Sequence, residues 1–445
     1  MADQDAPTDK IHCRIDYEDS YVQPLIQSAM TSRLGSHSIP ITSLSPDNLP
    51  SGARVLQWKQ YESLDLDRAM THPDTNMINS YIIRKALIRK HYLSNTVSHW
   101  ASKHPESTLP KHMQPGVEFE LDFAEFLDDA LVEAWELREA FERNEALDAK
   151  DREWWILKPG MSDRGQGIRL FSTEDELTAI FEAWDPPSDD EDEDDEAAHS
   201  CDENEPQAQQ QQKDDDNRDS GIITSQLRHF IAQPYIHPPL LLTSPTFPSA
   251  NRKFHIRVYV LAGGALRVHV YKPMLALFAG EAYTPPWESA SGDPNDELSG
   301  HLTNTCMQSG EREGSVHAFW ALPDDVPGLA KDWKQSVFAH ICRVTGEVFE
   351  AAARGMMVHF QPLPNAFEVF GVDFLVDAQG LPSLLEVNAF PDFAQTGSDL
   401  NHVIEGLFEE VVDVAVKPFF GLASADADAE STRMVKVLDI DLGRR

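Results

Sequence analysis

The chain has 445 residues, and its content of 41% hydrophobic and 9% aromatic residues is typical of a globular protein. This length exceeds what one hydrophobic core usually holds, so we expect roughly two or three subdomains. The formal charge of −37 disfavours direct binding of nucleic acid through its phosphate backbone. No apolar run reaches about 18 residues, which disfavours a membrane span.

The cysteines and the N-terminus bear on the cellular compartment. The four cysteines are widely spaced and form no CxxC motif, which argues against a zinc site or a disulfide framework and fits a reducing compartment. The opening residues MADQDAPTDK lack the apolar core of a secretory signal. We therefore expect a cytoplasmic protein.

The N-terminal part of the chain contains one clear helix. The residues up to about Pro50 have weak periodicity, and ARVLQWKQYESLDLDRAM then predicts a strand and a helix. Residues 79–103 predict an amphipathic helix. Four basic residues cluster between its apolar positions: Arg84, Lys85, Arg89 and Lys90. Such a cluster is usually the solvated face of a core helix, but in a very acidic chain it could also bind an anion.

A loop with glycines follows a second amphipathic helix, predicted over 123–147. Trp154 to Lys158 predicts a strand, PGMSDRGQG a turn and IRLF a second strand, and Thr173 with Glu176 forms a capping box that begins a helix. Backbone N–H groups of such a loop can bind phosphate, although a β-turn of this kind is also common. The chain has no P-loop motif and no HRD or DFG kinase motif.

The stretch from Asp185 to Asp219 is acidic and of low complexity. It cannot bury enough apolar area to offset the entropy of ordering, so we expect a disordered surface insert without a catalytic role. Regular structure is expected to return at LRHFIAQPYIHPPLLL, which predicts a strand followed by proline-rich loops.

The next segment, NRKFHIRVYVLAGGALRVHVYKPMLALF, predicts a hairpin that turns at Gly263–Gly264. Lys253, His255 and Arg257 share one face of its first strand. These groups would repel each other unless an anion such as phosphate lies between them. Exposure on an edge strand would also relieve the repulsion, and the pattern alone leaves both interpretations open.

Three further segments lie C-terminal to this hairpin. HLTNTCMQ, which begins at His301, is a polar island between loops. A long helix is predicted near WKQSVFAHICRVTGEVFEAAARGM. The residues after about Ala425 are polar and acidic, and we expect them to be loosely ordered.

Phe367 to Phe393 predict a β-hairpin, with strands FEVFGVDFLV and LPSLLEVN joined by the turn DAQG. Asp373 lies in the apolar first strand, where a carboxylate must be protonated, paired or metal-bound. Glu386 and Asn388 share a face of the second strand, and any register that places Asp373 opposite an even-numbered residue brings the three together. This oxygen-only set suits Mg²⁺ completed by water and phosphate oxygens. Alternatively, an arginine satisfies Asp373, and Glu386 is exposed at a strand end.

Taken in order, six segments resemble the tubulin–tyrosine ligase family of ATP-grasp enzymes: IIRKALIRK, WILKPGMSDRGQGI, IAQPYIHPPLLL, RKFHIRVYVL, HLTN and FEVFGVDFLVD…LLEVNAFPDF. The resemblance runs from about Asn79 to about Phe420, apart from the acidic insert. The chain is similar in particular to fungal members of the family that associate with messenger-RNA decay granules. It implies an α/β (α+β) class, namely an ATP-grasp fold with a small N-terminal α/β domain. The implied parts are 1–113, 114–425 with the insert 185–219, and a tail 426–445.

The resemblance also implies roles for single residues. Asp373, Glu386 and Asn388 match the magnesium ligands, in agreement with the hairpin pattern. Arg257 matches a clamp on phosphate or acyl phosphate, and Lys85 matches a lysine at the phosphate end of the cleft. The residues matched to nucleotide binding are Lys158, Ser162, Arg164, Gly165, Gln166, Gly167, Gln233, Tyr235, Ile236, Lys253, His255, His301, Thr303 and Asn304.

The function implied by the resemblance is a carboxylate–amine ligase that depends on ATP and Mg²⁺. The γ-phosphate moves to a carboxylate, and an amine then displaces phosphate from the acyl phosphate to form an amide. The implied acceptor is a protein or peptide, with tubulin as one candidate. Messenger-RNA decay proteins are candidate partners, and P-bodies are a candidate location in the cytoplasm.

Two residues depart from the family's pattern. His255 stands where the family usually has an acid, and Leu277 aligns with an arginine that helps to hold the carboxylate substrate. A leucine cannot make a charge-assisted hydrogen bond, so ATP binding can survive where the usual ligation does not. The alternative function is therefore a nucleotide-binding pseudoenzyme that serves as a protein-interaction module.

Overall fold

The computed structural model divides the chain into two compact units. The first unit comprises Met1–Gly116 and Gln233–Arg445, and the second comprises Val117–Ala232. The described residues are 10–45, 49, 52–160, 167–184, 228–288, 298–303, 315–396, 400–422 and 433–443. Five predicted site residues and the acidic insert lie outside these ranges: Ser162, Arg164, Gly165, Gln166, Asn304 and 185–219. The three-part division inferred from the sequence stays a prediction.

The described strands and helices confirm a mixed α and β architecture. The strands are β1 Ile11–Asp16, β2 Ser38–Pro40, β3 Arg54–Lys59, β4 Asn76–Ile78, β5 Val117–Glu120, β6 Trp155–Pro159, β7 Arg169–Phe171, β8 His229–Pro234, β9 Phe254–Gly263, β10 Arg267–Tyr271, β11 Leu275–Phe278, β12 Val316–Ala318, β13 Phe367–Val376, β14 Pro382–Ala389 and β15 Met434–Asp439. The α-helices are α1 Val22–Leu34, α2 Leu66–Thr71, α3 Lys85–Ile88, α4 Lys90–Lys103, α5 Leu109–His112, α6 Leu127–Glu133, α7 Trp135–Asn144, α8 Glu174–Glu182, α9 Trp333–Gly355, α10 Asn401–Val411 and α11 Lys417–Phe419, and a π-helix spans Val412–Val416.

A parallel sheet in the order β2-β1-β3-β4 forms the N-terminal part of the first unit. The helix α1 buries one stripe of side chains, which consists of Val22, Ile26, Ala29, Met30 and Leu34. Neither β1 nor α1 is predicted from the sequence above, although the buried positions of α1 have helical spacing. The weak overall periodicity of this region therefore concealed regular structure.

The strand β9 lies in the interior of a seven-stranded sheet. It pairs with β13 along nearly its whole length on one side, and with β10 and β11 on the other. The turn at Gly263–Gly264 is confirmed, because β9 ends at Gly263 and β10 returns antiparallel to it. Since every residue of β9 is buried, the edge-strand interpretation of its basic residues is wrong.

The two faces of β9 have different surroundings. Ile256, Val258 and Val260 belong to a hydrophobic cluster that also contains one face of the long helix α9. Tyr259 and Leu261 point to the opposite side, into a cluster shared with α1 and α10. Because side chains alternate along a strand, the face that carries Tyr259 and Leu261 also carries His255 and Arg257.

The expectation of a loosely ordered tail is wrong for the last strand. β15 pairs antiparallel with β10, so the sheet continues to within a few residues of the C-terminus. The alternating apolar residues of MVKVLD supply the physical reason, since Met434 is buried and Val437 and Leu438 pack against the core. A Cβ atom at Gly346 of α9 would lie 2.7 Å from the carbonyl oxygen of Val437, so glycine permits this close packing.

Two helices predicted as continuous are interrupted. The helix expected over 79–103 begins only at Lys85, and the extended backbone of Arg89 separates α3 from α4. The helix expected over 123–147 is divided at Ala134 into α6 and α7. The long helix near Trp333 is confirmed as α9. No described helix is both long and apolar enough to cross a membrane.

The second unit is built on a four-stranded sheet in the order β5-β8-β6-β7. Helices α6, α7 and α8 cover an aromatic core in which the rings of Phe181 and Phe230 lie 4.9 Å apart. The predicted capping box is present, since the Thr173 side chain accepts from the Glu176 N–H and Glu176 reaches back to the cap. Lys158 lies half-buried in β6 of this unit.

Candidate active site

The register of three neighbouring strands places an arginine and two carboxylates in one row. Asp373 on β13 lies opposite Arg257 on β9 and opposite Glu386 on β14. The sequence required Asp373 to face an even-numbered residue of the return strand, and this register satisfies that requirement. The row therefore follows from strand pairing rather than from flexible loops.

Arg257 and Asp373 form a bidentate ion pair inside the protein. Arg257 Nε lies 2.5 Å from Asp373 Oδ1, and Nη2 lies 3.0 Å from Oδ2. The two side chains are 8% and 6% exposed. Burial alone would lower the pKa of Arg257, but the adjacent Asp373 carboxylate overrides it and raises the pKa above its usual range. The guanidinium is therefore a fixed positive charge.

A glycine makes room for this pair. A Cβ atom at Gly371 would lie 2.7 Å from Cβ of Pro391 and 3.3 Å from Cδ of Arg257. Any larger residue at this position would push against the stem of the arginine, because carbon atoms do not approach so closely. Gly371 thus lets the Arg257 side chain pass over β13 to reach Asp373.

Glu386 and Asn388 complete the cluster. Asn388 Nδ2 lies 3.0 Å from Glu386 Oε1 and 3.4 Å from Asp373 Oδ2, so the three predicted ligands converge. Lys90 Nζ on α4 lies 3.6 Å from Glu386 Oε2, and the Glu386 side chain is 32% exposed. An arginine satisfies Asp373, as the alternative interpretation expected, yet Glu386 and Asn388 still lie beside it.

The donor set of this cluster fits a hard divalent cation. It offers two carboxylates and one amide, and Asp373 Oδ1 keeps a second lone pair beyond its bond to Arg257, whereas Oδ2 accepts from both Arg257 and Asn388. Mg²⁺ takes few protein oxygens and retains water or phosphate oxygens in its other positions. Among the described residues, no group of three or more His, Cys, Asp or Glu side chains could hold a metal ion, so a third protein ligand in this cluster would be the amide oxygen of Asn388.

A second polar group lies around the beginning of β9. Lys253 Nζ donates to Tyr235 Oη at 3.1 Å and lies 4.3 Å from the centroid of that ring. Tyr235 Oη lies 2.7 Å from Nδ1 of His301. Burial lowers the pKa of His301 to about 3, and the Lys253 charge acts in the same direction, so this imidazole is neutral at pH 7.

His255 connects the two polar groups. Its Nδ1 lies 2.6 Å from Thr303 Oγ1, and its Nε2 lies 3.8 Å from Asp373 Oδ1. This Nε2 is buried and has no hydrogen-bond partner among the described residues. Burial lowers the pKa of His255, so the ring is neutral. Leu277 lies opposite it on β11 and is 1% exposed, which leaves this wall apolar.

Four other predicted site residues lie among the described parts of both units. Lys85 is exposed at the start of α3, a helix that packs against β14. Gln233 is half-buried in β8, and Ile236 is half-buried shortly after that strand. Gly167 in the second unit has a φ of 71°. The roles of these residues stay predictions.

Two features of this region are not predicted from the sequence. Lys90, at the edge of the basic cluster, is the residue that reaches Glu386. Arg84 is buried and lies 2.9 Å from Glu368, so it is no part of a solvated face. The signal for Glu368 was present, because it is an acid in the same apolar strand as Asp373, and such an acid requires a partner.

Comparisons with known proteins agree on one family. The family model described as "Tubulin-tyrosine ligase family" matches residues 68–423. A probable tubulin–tyrosine ligase of Schizosaccharomyces pombe is 44% identical over 407 residues, which cover 91% of this chain and 91% of that protein. The probable tubulin–tyrosine ligase PBY1 of Saccharomyces cerevisiae is 45% identical over 391 residues, which cover 87% of this chain but only 49% of that protein.

A solved structure is similar over almost the whole length. The crystal structure of the C-terminal domain of K. lactis Pby1 superposes with a TM-score of 0.68 at 36% identity. The match covers 97% of this chain and 99% of that domain. Pby1 is described there as an ATP-grasp enzyme that interacts with the mRNA decapping enzyme Dcp2.

Proposed function

Because this chain belongs to the tubulin–tyrosine ligase family and has the ATP-grasp fold, we propose that it is an ATP- and Mg²⁺-dependent carboxylate–amine ligase. The acceptor proposed is a carboxylate of a protein or peptide, and tubulin is one candidate. Tubulin tails are acidic, so an acceptor of this kind would have to dock on a local basic surface of this acidic chain.

The proposed chemistry proceeds in two steps. A carboxylate oxygen attacks the γ-phosphorus of ATP, and ADP leaves, which gives an acyl phosphate. An amine then attacks the acyl carbon, loses a proton and expels inorganic phosphate, so that an amide forms. Carboxylates are poor electrophiles, and phosphate supplies the leaving group. No covalent enzyme intermediate is needed, so the protein contributes position and charge.

Each polar group near the row has a role in this proposal. Asp373, Glu386 and Asn388 would hold the magnesium ion, which would supply positive charge to offset that of the phosphates. Arg257, fixed by two hydrogen bonds to Asp373, presents the rest of its guanidinium to the transferring phosphoryl group. Lys85 is proposed to neutralise further phosphate charge.

One observation carries the proposal. The three side chains predicted from the sequence as magnesium ligands lie within hydrogen-bond distance of one another beside a buried, permanently charged arginine. A purely structural Arg–Asp pair would not need a second carboxylate and an amide within hydrogen-bond distance at a partly exposed rim.

The test compares two glutamate variants. Glu386→Gln removes one ligand charge, and Glu350→Gln removes a carboxylate of nearly equal exposure, 31% against 32%, that pairs with Arg354 on α9. Isothermal titration with Mg²⁺ and a non-hydrolysable ATP analogue should show at least a tenfold loss of affinity for Glu386→Gln. Glu350→Gln should bind within about twofold of the natural protein. Equal binding by both variants would remove the metal assignment.

A second candidate function is a nucleotide-binding module that recruits a protein partner. The buried, apolar Leu277 and the neutral His255 beside the row favour it, because neither supplies the charge that the ligation normally uses. The K. lactis relative interacts with a decapping enzyme. On this proposal the chain joins messenger-RNA decay proteins in cytoplasmic P-bodies.

Phosphate release separates the two candidates. The protein is mixed with ATP, Mg²⁺, candidate acceptors such as tubulin, and single amino acids, and free phosphate is measured. Phosphate release that exceeds the release measured without an acceptor supports the ligase. Nucleotide binding with no release under any acceptor, together with capture of a decapping enzyme by the Glu386→Gln variant, supports the module.

A further inference from the structure

A cavity lies at the far end of β9 from the Arg257–Asp373 row. It has a volume of about 150 Å³ and lies between the β9–β10 turn, the π-helix and α11. Leu261, which lines it, is four residues beyond Arg257, so the two places are roughly 13 Å apart along the strand. A cavity of this size accommodates a group as large as a benzene ring.

The lining of this cavity is apolar on most sides and polar on one. Met77, Leu261, Ala415 and Phe419 supply the apolar walls. The polar side comes from β10, whose odd-numbered residues Arg267 and His269 face the cavity. The even-numbered residues between and after them belong to the hydrophobic core.

Two polar groups of this wall lack partners in the part of the chain that the structure describes. His269 Nδ1 is buried and has no hydrogen-bond partner there. Arg267 forms no ion pair with a described acid, because Asp439, which lies opposite it on β15, pairs with Lys436 at 2.9 Å. Burial lowers the pKa of His269 to about 4, and Arg267 acts in the same direction, so the imidazole is neutral at pH 7. A neutral ring leaves one donor or acceptor open to a ligand.

The backbone around the cavity is also irregular. Ala415 and the residue before it belong to the π-helix Val412–Val416, which interrupts an otherwise helical segment. Such insertions occur mostly as single turns inside α-helices and frequently at functional sites. The wall opposite His269 is therefore not set by regular helical packing.

We propose that this cavity is a second ligand site, which takes a small carboxylic acid with an apolar body of about six carbons. The apolar body fills the space beside Leu261 and Ala415. The carboxylate lies at the polar wall, where Arg267 supplies charge and His269 supplies a hydrogen bond. A protein of net charge −37 repels anions in general, so an unpaired arginine beside an apolar cavity selects this class locally.

Two kinds of ligand have this chemistry: a free small acid, and the C-terminus of a protein chain that ends in an apolar residue. The probe for the first is 4-fluorobenzoate, observed by fluorine NMR. The probe for the second is the peptide acetyl-Gly-Gly-Gly-Phe with a free carboxylate. Each has a neutral counterpart, 4-fluorobenzamide and the same peptide with a C-terminal amide. Whichever acid binds more tightly identifies the source.

The variants test the two halves of the site separately. Arg267→Gln should weaken binding of the acid about tenfold and leave the amide within about twofold, because only the acid makes a charge-assisted contact. Arg354→Gln is the matched control, since it makes the same change at an arginine of α9 that pairs with Glu350 and does not line the cavity. Ala415→Leu should remove binding of both probes, because the added side chain fills the apolar space.

Three outcomes would overturn the proposal. One is no binding of either acid by the natural protein up to about 10 mM, which corresponds to almost no affinity. Another is equal affinity for acid and amide. The last is an Arg267→Gln variant that binds the acid as tightly as Arg354→Gln does. The Arg267→Gln measurement stands even if Ala415→Leu does not fold, because Arg267 is exposed and its replacement adds no volume.

Discussion

The strand β13 carries two buried carboxylates, and each faces an arginine in a different way. Asp373 accepts two hydrogen bonds from Arg257, at 2.5 and 3.0 Å. Glu368 lies 2.9 Å from Nε of Arg84, but this contact lies outside hydrogen-bond geometry. A buried carboxylate can therefore lie close to an arginine and still lack a well-formed hydrogen bond from it.

The protonation of Glu368 reflects this difference. Burial raises its pKa to about 8, and Arg84 and the Tyr81 N–H, 3.0 Å from Oε2, offset only part of that effect. Arg84 also lies over two rings, 4.3 Å from the centroid of Tyr61 and 5.6 Å from that of Phe390. Arg84 is therefore supported by aromatic faces, whereas Arg257 is supported by its carboxylate.

The same substitution in both arginines gives the largest expected contrast. Arg257→Met leaves Asp373 buried without its partner and should lower the free energy of unfolding by about 3–5 kcal/mol. Arg84→Met should cost only about 1–3 kcal/mol, because Glu368, whose pKa is raised to about 8 by burial, is already mostly protonated at pH 7 and is not left as an unpaired charge. Urea denaturation of both variants at pH 7 measures the difference. Equal losses would show that the two pairs are of one kind.

The pH dependence of stability isolates Glu368. Burial raises the pKa of Glu368 from its ordinary value of 4.5 to about 8 in the folded state, so between these values the folded protein holds a proton that the unfolded chain releases. Stability from this group is complete below about pH 4.5 and falls as the pH rises towards about 8, by at most about 1.4 kcal/mol per unit.

Glu368→Gln serves as the reference for this measurement, because glutamine does not titrate. The difference in unfolding free energy between the natural protein and the variant should decrease from about pH 5 to about pH 8. Urea denaturation at several pH values gives this difference directly. A constant difference would mean that Arg84 keeps Glu368 ionised after all.

Gly371→Ala probes the geometry of the Arg257–Asp373 pair without changing its charges. The added Cβ would meet Pro391 at 2.7 Å and the Arg257 stem at 3.3 Å, so we expect a loss of about 1–3 kcal/mol. Gly355→Ala on α9 is a useful control, because its Cβ would meet only His99 at 3.4 Å. A thermal shift as small for Gly371→Ala as for Gly355→Ala would show that the pair tolerates displacement.

The sequence predicted the surroundings of Asp373 better than those of Glu368 for a physical reason. Alternation on β13 and β14 fixed which residues share a face, and a hairpin turn limits the register, so Asp373, Glu386 and Asn388 could be brought together from local pattern alone. Arg84 reaches Glu368 from the other end of the chain. Its basic neighbours indicated a solvated surface. The apolar strand signalled that Glu368 needs a partner, but nothing local identified Arg84 as that partner.

Other parts of the fold escaped prediction for similar reasons. Met434–Asp439 is a strand only because β10 offers it a partner, and a short apolar alternation is too weak to predict pairing across the chain. The interruptions at Arg89 and Ala134 depend on where the helices pack, while the amphipathic pattern continues across both residues. By contrast, β9 and α9 have long patterns and were predicted well.

The smallest expected effect concerns Lys90, which lies at the exposed rim of the Arg257–Asp373 row. Lys90 and Glu386 are 26% and 32% exposed and lie 3.6 Å apart, so water screens them. Lys90→Met should change the free energy of unfolding by less than about 1 kcal/mol. Lys417→Met is the matched control, because Lys417 is 27% exposed and pairs with Asp413, which is 31% exposed. If thermal denaturation showed a much larger loss for Lys90→Met than for Lys417→Met, Glu386 would depend on Lys90 as Asp373 depends on Arg257. The rim would then be part of the buried ion-pair system, with less freedom for Glu386 to bind a cation.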